Sequence, residues 1–373
     1  MSHIAFFNVP AHGHVNPTLA VVVELVSRGH RVTYAVPEEF HDAVRHVGAT
    51  PVPYTSSLPT GDQEWPEEAA PAMALFLDEA RVVLPQLEAA YAADVPDLVV
   101  YDIGAWTARL LAARWGVPAV QFSPTFVAYE GWEETLADPD VDRFFDVLDR
   151  WLAEQGVDTP GRDYVGRPDR AVVSITRTFQ FQSDTVDPLY AFVGPCLGDR
   201  SYQGGWQPKG RTLLVSLGSA FTNRLDLYRN VVEAFGDTDW HVVLNVGRLV
   251  DPALLGDLPD NVEVHRWVPQ LAILAHASLF VTHCGMGGTM EGLYHGVPMI
   301  GVPTIGEQHL NAQRLVELGV GRHLPDPSIE DLRTAARELT EDPDVARRLA
   351  ELRQEAREAG GARAAADVLE ATL

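Results

Sequence analysis

Short, almost wholly apolar runs alternate with amphipathic helical patterns along nearly the whole chain. The runs at 4–9 (I-A-F-F-N-V), 31–36 (R-V-T-Y-A-V), 97–102 (D-L-V-V-Y-D) and 118–123 (P-A-V-Q-F-S) are continuous rather than alternating. Such runs mark strands buried on both faces, as in parallel sheets. Amphipathic segments such as Thr18 to Ser27 and Ala105 to Trp115 lie between them. Repeated β-α units of this kind predict a doubly wound sheet. After Val193 the chain reads G-P-C-L-G-D-R-S-Y-Q-G-G-W-Q-P-K-G, a linker by composition. A second series follows at 213–218, 241–246, 262–267, 279–283 and 299–302. The expectation is α/β, with two Rossmann-like domains at 1–195 and 211–355 and a linker at 196–210. After Gly360-Gly361, a C-terminal helix within 356–373 is expected to pack back toward the first domain. A length of 373 residues suits two domains.

Composition narrows the function classes. The chain is 46% hydrophobic and 21% charged, with a formal net charge of −24. That balance argues against nucleic acid and against anionic lipid surfaces. Two cysteines, Cys196 and Cys284, provide neither a disulfide framework nor metal-ligand spacing. The first strand-like run starts at once, with no basic leader ahead of it, so no signal peptide is expected. The apolar runs are too short to span a bilayer, so no stable membrane association is expected. A cytoplasmic protein, monomeric or homodimeric, is the expectation.

The segment from Trp267 to Asn311 carries most of the chemistry. L-F-V-T-H reads as a strand, and Gly285-Met-Gly-Gly as a turn opening a helix. Gly285, Gly287 and Gly288 would let backbone approach a phosphate, and the helix N-terminus offers unpaired N–H donors. His283 can donate to a phosphate oxygen, and Thr289 adds a hydroxyl. Glu291 can accept from ribose hydroxyls, as acidic residues do in dinucleotide sites. In W-V-P-Q (Trp267, Val268, Pro269, Gln270), the indole could stack on a base; a core tryptophan is the competing reading. Glu307 and Gln308 suit a polyhydroxyl sugar, although such pairs also cap helices. Ser219, after the first strand of the second series, could touch a phosphate or cap the next helix.

These motifs, W-V-P-Q, H-C-G-M-G-G-T-M-E-G and E-Q-x-x-N-A, resemble the donor signature of the family 1 UDP-glycosyltransferases with the GT-B fold. The likeness is nearest to the actinomycete macrolide-inactivating branch. It extends to H-I-A-F-F-N-V-P-A-H-G-H-V-N-P, F-S-P-T-F-V-A-Y-E-G-W and R-E-A-G-G-A-R-A-A-A-D. The resemblance implies that Trp267 stacks on uracil and Glu291 binds ribose. It implies further that His283 and Gly285 to Thr289 hold the diphosphate, and Glu307 and Gln308 the glucose hydroxyls. Plant relatives carry Trp-Asn-Ser where this chain has Met286-Gly287-Gly288, so only the backbone role of that turn carries over.

Transfer of a sugar to a hydroxyl needs a base for the acceptor proton. The loop A-H-G-H-V-N-P follows the first strand, and Asn16 and Pro17 read as N-cap and first residue of the next helix. His12 and His14 are both placed to serve. Asp102 ends a strand at the same sheet edge and could orient an imidazole, or cap the next helix. The family's second histidine of H-G-H is its base and the aspartate its partner; that implies His14 and Asp102, with His12 structural. One base implies single-step displacement with inversion. No nucleophilic carboxylate is required. Asp140-Val-Asp142 has metal-ligand spacing but reads as a polar loop, so metal is not expected to be strictly required. No tightly bound cofactor is expected; UDP-glucose is the expected co-substrate.

Phe76, Phe122, Phe126, Tyr129 and Trp132 are candidates for the wall of the acceptor, a macrolide or another hydrophobic small molecule, with an ordinary core or interdomain place as the competing reading for each. The expectation is thus inverting glucosyl transfer in resistance or detoxification. A UDP-N-acetylglucosamine 2-epimerase on the same fold would need acid/base carboxylates instead of an acceptor wall. A non-catalytic sugar-nucleotide-binding partner would be expected to lack the His14–Asp102 pair. A nicotinamide dehydrogenase is disfavoured because no G-x-G-x-x-G follows the first strand.

Overall fold

The computed structural model describes residues 1–59, 65–66, 68–200, 203–218 and 222–373, with the side chains of 135 and 136 left aside. It divides into two compact units, Met1–Gly198 with Ala359–Leu373, and Asp199–Glu358.

The first unit holds strands β1 (His3–Phe7), β2 (Arg31–Ala35), β3 (Thr50–Val52), β4 (Leu98–Asp102), β5 (Ala119–Ser123), β6 (Ala171–Val173) and β7 (Tyr190–Phe192). They form one parallel sheet in the order β3-β2-β1-β4-β5-β6-β7. The order reverses at β1 and β4, so the loops leaving these two strands diverge at their carboxyl ends, where α/β sites form. Its helices are α1 (His12–Ser27), α2 (His41–His46), α3 (Ala69–Tyr91), α4 (Trp106–Trp115), α5 (Pro139–Glu154) and α6 (Gly161–Gly166). Every residue of β1 and β4 is buried. That is why these runs are continuously apolar.

The second unit repeats the plan. Strands β8 (Arg211–Ser216), β9 (Trp240–Asn245), β10 (Val262–His265), β11 (Ala277–Thr282), β12 (Met299–Gly301) and β13 (Gly321–His323) are parallel, in the order β10-β9-β8-β11-β12-β13. Here the reversal falls at β8 and β11. Helices α7 (Leu225–Phe235), α8 (Gln270–Leu274), α9 (Met286–His295), α10 (Gly306–Glu317), α11 (Ile329–Glu341) and α12 (Pro343–Glu358) complete it. The last helix, α13 (Gly361–Glu370), belongs to the first unit. Its Ala365, Ala366 and Leu369 join the core beside β1 and α1. Arg28 at the end of α1 donates to Asp367 and Glu370 of α13, both at 2.6 Å. No helix among the described residues is long and apolar enough to cross a membrane.

Two local expectations need correction. The helix after β1 starts at His12, with Ala11 as N-cap, so Asn16 is not a cap and Pro17 lies inside the helix. The Ala11 carbonyl closes the first turn by accepting from the His14 and Val15 amides. H-G-H is therefore that turn and not a free loop. Proline removes one donor. Nearby, Asn8 at the end of the first apolar run donates its side-chain amide to the His14 carbonyl at 2.9 Å. Asp140 and Asp142 lie in the first turn of α5, capped by Asp138, not in a loop. They pair with Arg143 and Arg162.

Candidate active site

In the first unit, the candidate catalytic residues lie at the carboxyl ends of β1 and β4. The His14 Nδ1 and Asp102 Oδ2 are 2.7 Å apart. The other carboxylate oxygen, Oδ1, accepts from the Gly104 amide at 2.9 Å. Asp102 is wholly buried, and the His14 side chain is 28% exposed. A buried carboxylate beside Nδ1 favours the tautomer protonated there. The lone pair then sits on Nε2. Asp102 is not the N-cap of α4; that position is Ala105, which makes no side-chain cap. His12 packs edge-on against Phe40, with ring centroids 5.2 Å apart.

A small cavity, of about 30 Å³, lies between α3 and the loops leaving β1 and β4. Asn8, Tyr54, Phe76, Glu79, Gly104 and Trp106 help to line it. A Cβ at Gly104 would fall 2.9 Å from Phe76 Cε1, so the glycine makes room for the ring. Of the five expected acceptor residues, Phe76 alone lines this cavity. Phe122 is fully buried in the core with Val100 and Val120, because β5 is covered on both faces. Phe126 stacks on Phe179, with centroids 5.7 Å apart. Trp132 lies over Gly166, where a Cβ would come within 2.6 Å of its ring. Tyr129 is half-buried. Tyr54, Glu79 and Trp106 carry no local signal that they line a common cavity, since only tertiary folding gathers them.

In the second unit, the candidate donor residues lie around α9. Gly285 is the N-cap, with no side-chain cap and no acidic residue in the first turn. The turn before it is fixed from both sides. Asn311 donates its amide to the Cys284 carbonyl at 2.8 Å, and the Cys284 amide donates to Thr282 Oγ1 at 3.2 Å. Cys284 itself adopts the left-handed region at φ +61°.

The glycines have different jobs. A Cβ at Gly285 would lie 2.4 Å from His283 Nε2, and one at Gly218 would lie 2.7 Å from Cε1. Both make space for the imidazole. A Cβ at Gly287 would meet nothing within 4 Å, and one at Gly288 only ordinary contacts. Burial pushes the His283 pKa down to about 4, against a smaller opposing effect of the Ser216 backbone. The ring is thus neutral near pH 7: it offers a hydrogen bond rather than a charge. Thr289 is fully buried, with its hydroxyl unpartnered among the described residues. The expected contact of this hydroxyl with a phosphate is not presented at the surface.

Trp267 is 55% exposed, which removes the core-tryptophan reading. Val268 behind it is buried. Glu291 is buried and accepts from Gln270 Nε2 at 2.6 Å and Arg200 Nη1 at 2.9 Å. Glu307 is exposed in the first turn of α10. Gln308 is buried, and its side-chain oxygen accepts from the Thr304 amide at 2.8 Å. Its carbonyl therefore caps the helix, leaving its NH₂ as the group to meet a ligand. Ser219 lies outside the described residues.

The first unit carries His14 paired with a wholly buried Asp102, the second an uncapped helix N-terminus and an exposed Trp267, and the two doubly wound parallel sheets match those of GT-B glycosyltransferases. The family described as UDP-glucoronosyl and UDP-glucosyl transferase matches residues 205–356. Oleandomycin glycosyltransferase of Streptomyces antibioticus is 49% identical, over 100% of this chain and 91% of the relative. The NDP-glycosyltransferase YjiC of Bacillus licheniformis is 39% identical, over 100% and 98%. The solved structure of the kitacinnamycin glycosyltransferase superposes with a TM-score of 0.91 at 46% identity, covering 100% of this chain and 99% of the other. The chain belongs to the UDP-glycosyltransferase family, and it is a sugar-transferring enzyme.

Proposed function

We propose that this enzyme transfers glucose from UDP-glucose to a hydroxyl of a macrolide or similar hydrophobic natural product, with inversion, as a resistance or detoxification reaction. The observation that carries the reading is the 2.7 Å contact between His14 and a wholly buried Asp102 at the carboxyl edge of the first sheet. His14 Nε2 takes the proton of the acceptor hydroxyl as that oxygen bonds to the anomeric carbon and UDP departs. Asp102 accepts from Nδ1–H and stabilises the imidazolium; the proton then passes to solvent. An α-linked donor would give a β-glycoside. The amides opening α9 meet the diphosphate charge, with a neutral His283 adding a hydrogen bond. Trp267 receives the uracil and Glu291 the ribose. Glu307 and the Gln308 amide receive the glucose hydroxyls. The reading is supported by the relative named for oleandomycin and by the family's glucosyl description.

The test is mass spectrometry of macrolides, flavonoids and simple phenols incubated with UDP-glucose and the protein. One added hexose on macrolides, with a β-anomeric proton coupling, supports every part of the reading. Hexose on flavonoids alone discards the macrolide. UDP binding with no product from any acceptor discards the transfer to these acceptors and points to a sugar-nucleotide binder or an epimerase.

A further inference from the structure

Glu291 lies in the second turn of α9, past the first-turn amides, and its side chain is only 6% exposed. A carboxylate removed from water must be paired to be tolerated. Arg200 supplies the opposite charge. It sits in the segment before β8 with its own side chain 20% exposed, and its Nη1 lies 2.9 Å from Glu291 Oε1. Gln270, the first residue of α8, holds Oε2 at 2.6 Å. Each carboxylate oxygen thus has one protein donor.

The same segment is tied to its own unit at other points as well. Trp206 stacks on His241 at 5.6 Å and 4°, and Lys209 pairs with Glu263. Those two contacts lie on β9 and β10. The Arg200 contact alone reaches the carboxylate on α9.

A carboxylate has about four lone-pair positions. Two are used by Arg200 and Gln270, and their geometry sets where the remaining two point. We propose that Arg200 is a positioning residue of the donor site: by fixing one edge of Glu291, it directs the remaining lone pairs at a vicinal diol and makes the site selective for ribonucleotide over 2′-deoxyribonucleotide donors. The inference rests on the reading of Glu291 as the ribose carboxylate. Nothing in the motif from Trp267 to Asn311 contains Arg200, so the donor site extends beyond that stretch of chain.

The experiment measures binding of UDP and of 2′-deoxy-UDP by calorimetry to the full chain, as wild type, Arg200→Ala, Arg200→Lys and Glu291→Gln, with melting curves to confirm folding. Wild type should prefer UDP by about tenfold or more, the scale of a hydrogen bond to a charged group. Arg200→Ala should weaken UDP by about tenfold while 2′-deoxy-UDP changes little, so that the preference collapses; Arg200→Lys should restore part of it. A merely structural role would weaken both nucleotides alike, and that result overturns the proposal. Tighter UDP binding by Arg200→Ala also overturns it, since the guanidinium would then be competing with ribose. Collapse in Glu291→Gln with full preference kept in Arg200→Ala rejects the role of Arg200 alone. Full preference kept in Glu291→Gln, or no preference in wild type, rejects the ribose reading and this inference with it.

Discussion

Asp102→Asn is the sharpest perturbation of the proposed chemistry. The two carboxylate oxygens have different partners, the Gly104 amide on Oδ1 and His14 Nδ1 on Oδ2. An asparagine of nearly the same shape keeps its carbonyl on the Gly104 N–H, because the reverse orientation would set NH₂ against N–H. Its NH₂ then faces Nδ1 and donates to it. The imidazole must adopt the other tautomer, with its proton on Nε2 and no lone pair there for the acceptor. No water can rescue the pairing, because the position has no exposed surface. Losing a charge-assisted hydrogen bond costs about 1.5–3 kcal/mol. The imidazolium also loses its buried counter-charge, and carboxylate-to-amide changes in such pairs reach about 10⁴ in kcat. The expected fall is between about 10² and 10⁴, or roughly 3–5.5 kcal/mol of barrier. The assay is single-turnover product formation by mass spectrometry with a productive acceptor, alongside UDP calorimetry and a melting curve. His14→Ala sets the floor. UDP affinity should stay within about twofold, because the proposed nucleotide contacts lie in the other unit. A folded Asp102→Asn enzyme within about threefold of wild-type kcat would refute the argument, since a fall of 10² is its lower bound.

Further outcomes follow from the second unit. Trp267→Ala should weaken UDP by about 1–3 kcal/mol through lost stacking and leave the melting temperature almost unchanged, because the indole is exposed; calorimetry and a thermal melt check both. Gly285→Ala places a methyl 2.4 Å from His283 Nε2, so the ring must move. A loss of about 1–3 kcal/mol in stability, with weaker UDP binding, should appear in denaturant titration and calorimetry. His283 makes stability pH-dependent with a defined sign. Its pKa is about 4 in the folded protein, against 6.5 for an unperturbed histidine. The unfolded chain therefore binds the extra proton first. The stabilisation is complete above about pH 6.5 and lost as pH falls toward 4, by at most about 3 kcal/mol. Urea titrations at several pH values should show a shallower decline in His283→Gln; equal slopes would exclude this histidine as a source.

How much of the protein was legible in the sequence depends on the range of the forces involved. The strands of both sheets that lie in the middle could be read because both faces of β1, β4, β8 and β11 are covered, which demands unbroken apolar runs. Of the three-residue strands, β12 is legible because M-I-G-V is almost wholly apolar, whereas β3, β6, β7 and β13 stand in no comparable run of the sequence reading. The start of α1 was misplaced because Asn16-Pro17 mimics a capping signal, while the Ala11 carbonyl and the Asn8 amide secure an earlier first turn. Phe122 looked like an acceptor residue because an aromatic side chain has the same composition in a wall as in a core. Only the neighbours of β5 show which it is.

Local chemistry written in consecutive residues was therefore available from the sequence alone: two sheets of parallel strands, a glycine turn opening a helix, a tryptophan after a strand, a histidine after the first strand and an aspartate at a strand end. The tertiary structure decided what those residues meet. It brought His14 to Asp102 across 88 positions and Arg200 to Glu291 across 91, and it placed His283 between Gly218 and Gly285. A hydrogen bond acts over about 3 Å, so its partner is set by how the sheets and helices pack rather than by separation along the chain.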